Sequence, residues 1–297
     1  IRTRSRNRAL ISIGRTTAVP KSYARTFGQD LMRGEHTVGG GMDSRLTRVA
    51  GDRPEAELDE VSRTNLAAQP QSGTSIFDPL LCELAYRWFC PPGGLILDPF
   101  AGGSVRGIVA SMLGFRYMGV DLSGRQLAAN RAQASAICSA PEPEWREGDS
   151  RDIGVVCSGA SADFIFTCPP YHNLEVYSDD ARDLSAMTYE SFLAAYRAVI
   201  VATTALLKPD RFACFVVGDV RGPDGNYRGL PWATVDAFRA AGLPLYNEAV
   251  LITAVGSLPI RVARQWEAGR KLGKTHQNVF VFCKGDGKRA AGACGGD

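Results

Sequence analysis

The sequence predicts an α/β fold: a mainly parallel sheet with helices on both faces. Two observations carry that expectation. From about residue 73 onward, short apolar runs alternate with longer segments of helical periodicity, the pattern of repeated strand–helix units. Acidic residues also stand where strands end, Asp98 in LILDPF and Asp121 in GVDLS, and a glycine turn follows the first of them.

The elements follow in order. DPLLCELAYRWF (78–89) is a helix with Asp78 as N-cap and Pro79 in its first turn. LILDPF (95–100) is a buried strand, GSVRGIVASMLG (103–114) a helix ending on Gly114, and FRYMGVDL (115–122) a strand. SGRQLAANRAQASAIC (123–138) is a helix, and a strand is expected to end near Asp149 in EGDSRD. DFIFTCPP (163–170) is a strand, TYESFLAAYRAVIVATTALL (188–207) a helix and RFACFVVGDV (211–220) a strand. WATVDAFRAAG (232–242) is a helix, and YNEAVLIT (246–253) and NVFVFCKG (278–285) are the last strands. Residues 1–72 read as a basic, flexible arm or the remnant of an upstream region, 73–286 as the folded domain, and 287–297 as a flexible tail.

The 297 residues are 45% hydrophobic and 22% charged, an ordinary globular composition with a net charge of only +3. That total excludes little, so the distribution matters. Arg2, Arg4, Arg6, Arg8, Arg15, Lys21 and Arg25 open the chain without an acid among them, and the start at Ile1 rather than Met suggests that the true beginning is missing. No stretch reaches the roughly 18 apolar residues of a membrane helix. The eight cysteines are scattered without CxxC spacing, which reads as reduced cytoplasmic thiols rather than a disulfide frame or a zinc site.

In such a sheet, ligands bind beyond the carboxyl ends of the strands. LDPFAGGSVRG lacks both the lysine of a phosphate loop and the GxGxxG fingerprint, so no nucleoside triphosphate is expected. Asp98, Asp121 and Asp149 together suit a ligand with a ribose and a cationic amino-acid tail, and would repel a polyphosphate. S-adenosylmethionine answers that description, whereas helix capping is the plainer account of each aspartate, Asp149 above all.

The set TSIFDP (74–79), LDPFAGG (97–103), GVDLS (119–123) and TCPPY (167–171), in this order, resembles the S-adenosylmethionine-dependent DNA methyltransferases that modify N4 of cytosine or N6 of adenine, especially DNA modification methylases of phages and mobile elements. The resemblance extends from about 73 to 286, through VVGDVRGPDGNYRGL and RKLGKTHQNVFVFCKGD. It implies a Rossmann-like class I methyltransferase fold, double-stranded DNA as partner, a role in restriction-modification, and a bacterial or phage-infected cytoplasm. It also implies that Thr74, Phe77 and Asp78 lie beside the methionine end, that Asp98, Phe100 and Gly102 line the cofactor loop, and that Asp121 holds the ribose. Where the family often has DPFxGxG, this chain has Ser104 at the last position.

In that family an Asp, Asn or Ser precedes Pro-Pro-aromatic. The target base leaves the duplex, an aromatic such as Tyr171 stacks on it, and acceptors around Pro169 and Pro170 receive the exocyclic amine. Here the leading residue is Cys168, a weak acceptor, and two readings stay open. Cys168 stands in for serine, or it is a thiolate that adds to C6 of cytosine for C5 methylation, with Glu175 as the acid near N3. RNA methylation and a catalytically inactive DNA-binding relative are further alternatives.

Arg261, Arg264, Arg270, Lys271, Lys274 and His276, with Trp266 among them, are the candidate DNA contacts. The segment 254–275 and the loop GPDGNYRGLPW after Asp219 are the candidates for reading a short target sequence. His172 reads as a solvated loop residue or as a contact to a phosphate or the base.

Overall fold

The computed structural model describes residues 77–172, 177–178, 180–252 and 258–295, with the side chains at 258–261 and 264 outside that description. The expected arm, Thr74 and Glu175 therefore lie outside the described residues.

Asp78 is the N-cap of the first described helix, as expected. Its carboxylate accepts from Leu80 N at 2.8 Å and Leu81 N at 3.4 Å, capping α1 (Pro79–Phe89). The chain then runs through β1 (Leu95–Asp98), α2 (Val105–Met112), β2 (Arg116–Asp121), α3 (Gly124–Ile137), β3 (Glu144–Glu147), α4 (Ile153–Val156) and β4 (Ala162–Thr167). It continues with α5 (Tyr189–Ala205), β5 (Leu207–Val217), α6 (Leu230–Ala240), β6 (Leu245–Ile252), α7 (Leu258–Gly269), β7 (His276–Lys284) and α8 (Gly287–Ala293).

The seven strands form one sheet in the order β3-β2-β1-β4-β5-β7-β6. The first five of these run parallel to one another, and β7 runs antiparallel between β5 and β6. The strand order reverses between β1 and β4, and in sheets of this kind ligands bind beyond the carboxyl ends of the strands at such a point. Alternation along buried strands divides the core between the two faces: Phe164 and Phe166 of β4 join Tyr86 on one side, while Ile165 joins Phe192, Tyr196 and Phe282 on the other. The expected α/β architecture, with a mainly parallel sheet and helices, is thus observed.

The chain departs from expectation at two places. Residues 258–269, read only as a basic interruption between strands, form α7, which has Pro259 in its first turn and mostly good helix formers after it. The tail expected from residue 287 begins as a helix instead, because Asp286 caps it by accepting from Lys288 N and Arg289 N and because Ala290 is buried. No described helix is long and apolar enough to cross a membrane.

Candidate active site

Asp98, the last residue of β1, is completely buried and has four donors around it. Oδ2 accepts from Arg106 Nε at 2.6 Å and from the Tyr117 hydroxyl at 2.7 Å. Oδ1 accepts from Phe100 N at 3.0 Å and from Thr167 Oγ1 at 2.5 Å. The carboxylate expected to line the cofactor loop is therefore turned beneath it, where it ties the loop after β1 to the end of β4. A buried carboxylate is costly unless its oxygens are hydrogen-bonded, and these four donors serve both of them.

Arg106 completes the anchorage. Its guanidinium also donates to Phe100 O and, at 2.9 Å, to Ala101 O, and it lies 4.9 Å over the Phe77 ring. Burial works against its charge, but the Asp98 carboxylate outweighs burial and holds the Arg106 pKa above its usual value. The Tyr117 hydroxyl is pushed up by burial and by Asp98, so it stays protonated and able to donate.

Above this base, the glycine loop is set against β2. Ala101 N donates to Val120 O at 2.9 Å, Gly102 N donates to Asp121 Oδ2 at 2.8 Å, and Asn130 Nδ2 donates to Gly102 O at 2.7 Å. The approach is close enough to require glycine at 119, where a Cβ would stand 2.8 Å from the Ala101 Cβ and from the Tyr117 hydroxyl. Gly102 has φ +49°, a left-handed conformation that favours glycine.

Asp121 ends β2, half-buried, with Oδ1 held by Ser123 N at 2.9 Å. Burial raises its pKa, and the amides of Ser123 and Gly102 pull the other way. Each oxygen keeps acceptor capacity beyond its one amide partner. Asp149 is differently placed: it caps a short 3-10 turn, accepts from Arg151 N at 2.9 Å, and pairs with the Arg151 guanidinium. Burial would raise its pKa, but Arg151 overcomes that and lowers it. Phe100 is partly buried against Tyr196, with ring centroids 6.3 Å apart.

Thr167 ends β4, and Cys168, which follows it, packs against the edge of the core. Cys168 Sγ lies 3.2 Å from the Tyr171 hydroxyl, which donates to Gln277 Oε1 at 2.8 Å and reaches Val216 O at 3.4 Å. The Tyr171 ring lies over Gly218, where an added Cβ would come within 3.2 Å of it. Burial and Cys168 push the Tyr171 pKa well up. The aromatic expected at the loop tip is thus folded back, its hydroxyl pointing into the ends of β5 and β7. His172 is neither solvated nor a phosphate contact here: it is buried, its Nε2 is 3.0 Å from Met187 O, and its ring meets Tyr189 and Phe192.

The basic side lies at the same edge, because β7 starts where β5 ends, with Val217 opposite Asn278. Asp219 accepts from Val220 N, Gly229 N and Leu230 N, which shapes the following loop and caps α6. Arg270 and His276 are exposed, and Lys271 and Lys274 are half-buried. Burial lowers the pKa of Lys274, and burial together with Lys274 lowers that of His276. Arg261 and Arg264 lie on α7, and their side chains are outside the described residues.

Sequence reasoning missed four of the site's residues: Arg106, Tyr117, Thr167 and Gln277. Thr167 was visible, since it precedes CPPY directly, and Arg106 stands as an isolated charge in an apolar helix. Gln277 carried no local signal. Among the described residues, no group of His, Cys, Asp or Glu is arranged to hold a metal ion.

No family model matches the chain, and no curated protein matches it either. It is similar to solved structures. One is TrmN from Thermus thermophilus, with 18% identity over 69% of this chain and 48% of that one, at a TM-score of 0.46. Another is magnesium protoporphyrin IX methyltransferase from Synechocystis PCC 6803 with bound SAM, with 9% identity over 90% of this chain and 99% of that one, at a TM-score of 0.44. A third is a Thermus thermophilus protein described provisionally as a DNA modification methylase, with 22% identity over 47% of this chain and 52% of that one, at a TM-score of 0.35. At such identities no substrate is carried over. The chain spans about half the length of TrmN.

Proposed function

We propose that this chain is an S-adenosylmethionine-dependent DNA methyltransferase acting on the exocyclic amine of an everted base, N4 of cytosine or N6 of adenine. The observation that carries the reading is the Thr167–Asp98 hydrogen bond of 2.5 Å, which fastens the CPPY loop to the glycine loop through one buried carboxylate. The two loops therefore share a rigid base, and reacting groups held by each stay in register.

The donor set suits the cofactor. Asp121 has acceptor capacity left for a ribose diol, and Gly102 and Gly103 let a ligand approach the backbone closely. The cofactor, when bound, supplies an electrophilic methyl group. The chain's part is to present acceptors to the amine: Pro169 and Pro170 have no N–H, so that stretch offers carbonyls. Accepting from the amine raises electron density on its nitrogen and orients the lone pair.

Cys168 is the point of choice. The single Tyr171 proton goes to Gln277 Oε1, which leaves the phenol oxygen 3.2 Å from the thiol as an acceptor for S–H. A donating thiol behaves as a small polar residue, which favours the amine reading over nucleophilic attack on C6. The second reading, C5 methylation of cytosine, is favoured by the presence of a thiol at this strand end. Mass spectrometry of nucleosides from treated DNA tests both. N4-methylcytosine or N6-methyladenine formed by the wild type and by Cys168→Ser is expected. 5-Methylcytosine abolished by Cys168→Ser overturns the amine reading.

A further inference from the structure

At the carboxyl edge of the sheet, beside the proposed site, the loop 219–229 and the segment 265–274 form one surface. Lys271 lies against Gly225, where an added Cβ would come within 2.7 Å of Lys271 Cε, and Lys274 Nζ is 5.9 Å from the Tyr227 ring. The surface is preformed. Arg221 Nη1 donates to Gly225 O at 2.8 Å, its guanidinium lies 3.9 Å over Tyr227, and a bridge pairs Arg221 with Tyr227. Just past the end of α7, Arg270 lies 5.1 Å over the ring of Trp266 on that helix.

The three aromatics here remain open: Tyr227 is 44% exposed, Trp266 42% and Trp232, close beside Gly229, 70%. Large aromatics left in water at one edge, two of them carrying an arginine and flanked by lysines, mark a contact surface rather than a solvated face. Every nucleobase has a π-face, and it is accessible only when the base is unpaired; a duplex presents its phosphates and groove edges instead. Cations beside stacking rings are the means by which proteins follow a single strand.

We infer that this face binds unpaired DNA, with Tyr227 and Trp266 stacking on bases and Lys271 and Lys274 meeting phosphates. The inference narrows the DNA substrate class proposed above, and it rests on the nucleic-acid part of that reading. The everted base is then presented by a single strand, or by a duplex opened around it, rather than by a duplex that stays paired on both sides of it.

The test is fluorescence anisotropy of the full chain, without cofactor, on a labelled single-stranded DNA, its duplex, and an RNA of the same sequence. Tighter binding to the single-stranded DNA than to the duplex is expected. Tyr227→Ala and Trp266→Ala should each weaken it about 5- to 150-fold, with Tyr227→Phe restoring binding. Equal affinity for duplex and single strand, or alanine variants within about twofold of wild type, overturns the inference, and tighter binding to the RNA overturns the assignment to DNA. Since the assay reads binding alone, its failure leaves methyl transfer open, and loss of methyl transfer leaves the binding result standing.

Discussion

Thr167 and Asp98 are 69 positions apart in sequence, and their side chains meet at 2.5 Å in a fully buried hydrogen bond. The contact joins the residue before the CPPY stretch to the residue before the glycine loop. Thr167→Val preserves shape but leaves one buried carboxylate oxygen short of a donor, a loss of about 1.5–3 kcal/mol. Urea denaturation should show that loss. Turnover should fall by up to about 100-fold through misplacement of the CPPY loop, with a smaller change in cofactor affinity, as isothermal titration beside single-turnover methylation would show.

Arg106 holds Asp98 and two loop carbonyls at once. Arg106→Met should cost about 3–5 kcal/mol in stability, because it strands a buried carboxylate. Arg106→Lys keeps the charge but not the fork, and should recover only part of the stability while the cofactor is bound more weakly. Equal melting temperatures for wild type and Arg106→Met would contradict the assignment of this residue as the loop's anchor.

Asp121 has a pKa raised above the usual 3.8, with burial the largest cause. The sign follows from that direction: the folded chain holds the proton more tightly than the unfolded chain, so this group favours the fold at low pH and costs stability as pH rises through its folded value. On the proposed role of Asp121, cofactor binding runs the other way, since only the ionised form would accept from both ribose hydroxyls. Affinity should therefore weaken on acidification from above the ordinary aspartate range, and Asp121→Asn should bind weakly with a flat profile. Titrations run downward from neutral pH toward the ordinary aspartate range check this, with Tm followed alongside so that unfolding is not read as lost affinity.

Gly119→Ala asks whether the close approach of the glycine loop to β2 matters. A Cβ there would meet Ala101 and Tyr117 at 2.8 Å. Overpacking of about 1–3 kcal/mol is expected, together with displacement of the loop. Cofactor affinity should drop more than stability does, which comparing calorimetric Kd with Tm would show.

Much of this was legible in the residues. Apolar runs and caps marked β1, β2, β4 and α1 because burial on both faces and a proline after Asp78 leave local traces. The position of Asp121 and the glycine turn after β1 followed from strand ends and glycine chemistry, whereas Gly102 itself followed only from the family resemblance. Asp98 was misread in depth: a strand-end acid looks the same in sequence whether it faces a ligand or is turned under a loop by Arg106 and Tyr117. The inward turn of Tyr171 depends on Gln277, 106 residues away, and no local pattern encodes such a meeting. α7 was overlooked because charge density drew the reading toward binding and away from its helical composition.

The antiparallel β7 lies inside the sheet, between β5 and β6, and brings Gln277 to Tyr171. During synthesis the glycine loop, Asp98, Thr167 and CPPY all leave the ribosome well before that strand does. Tyr171 therefore gains its Gln277 partner only once β7 is in place between β5 and β6. Completion of the site is tied to the arrival of β7, so fragments ending before residue 276 would carry the right motifs without a finished active centre.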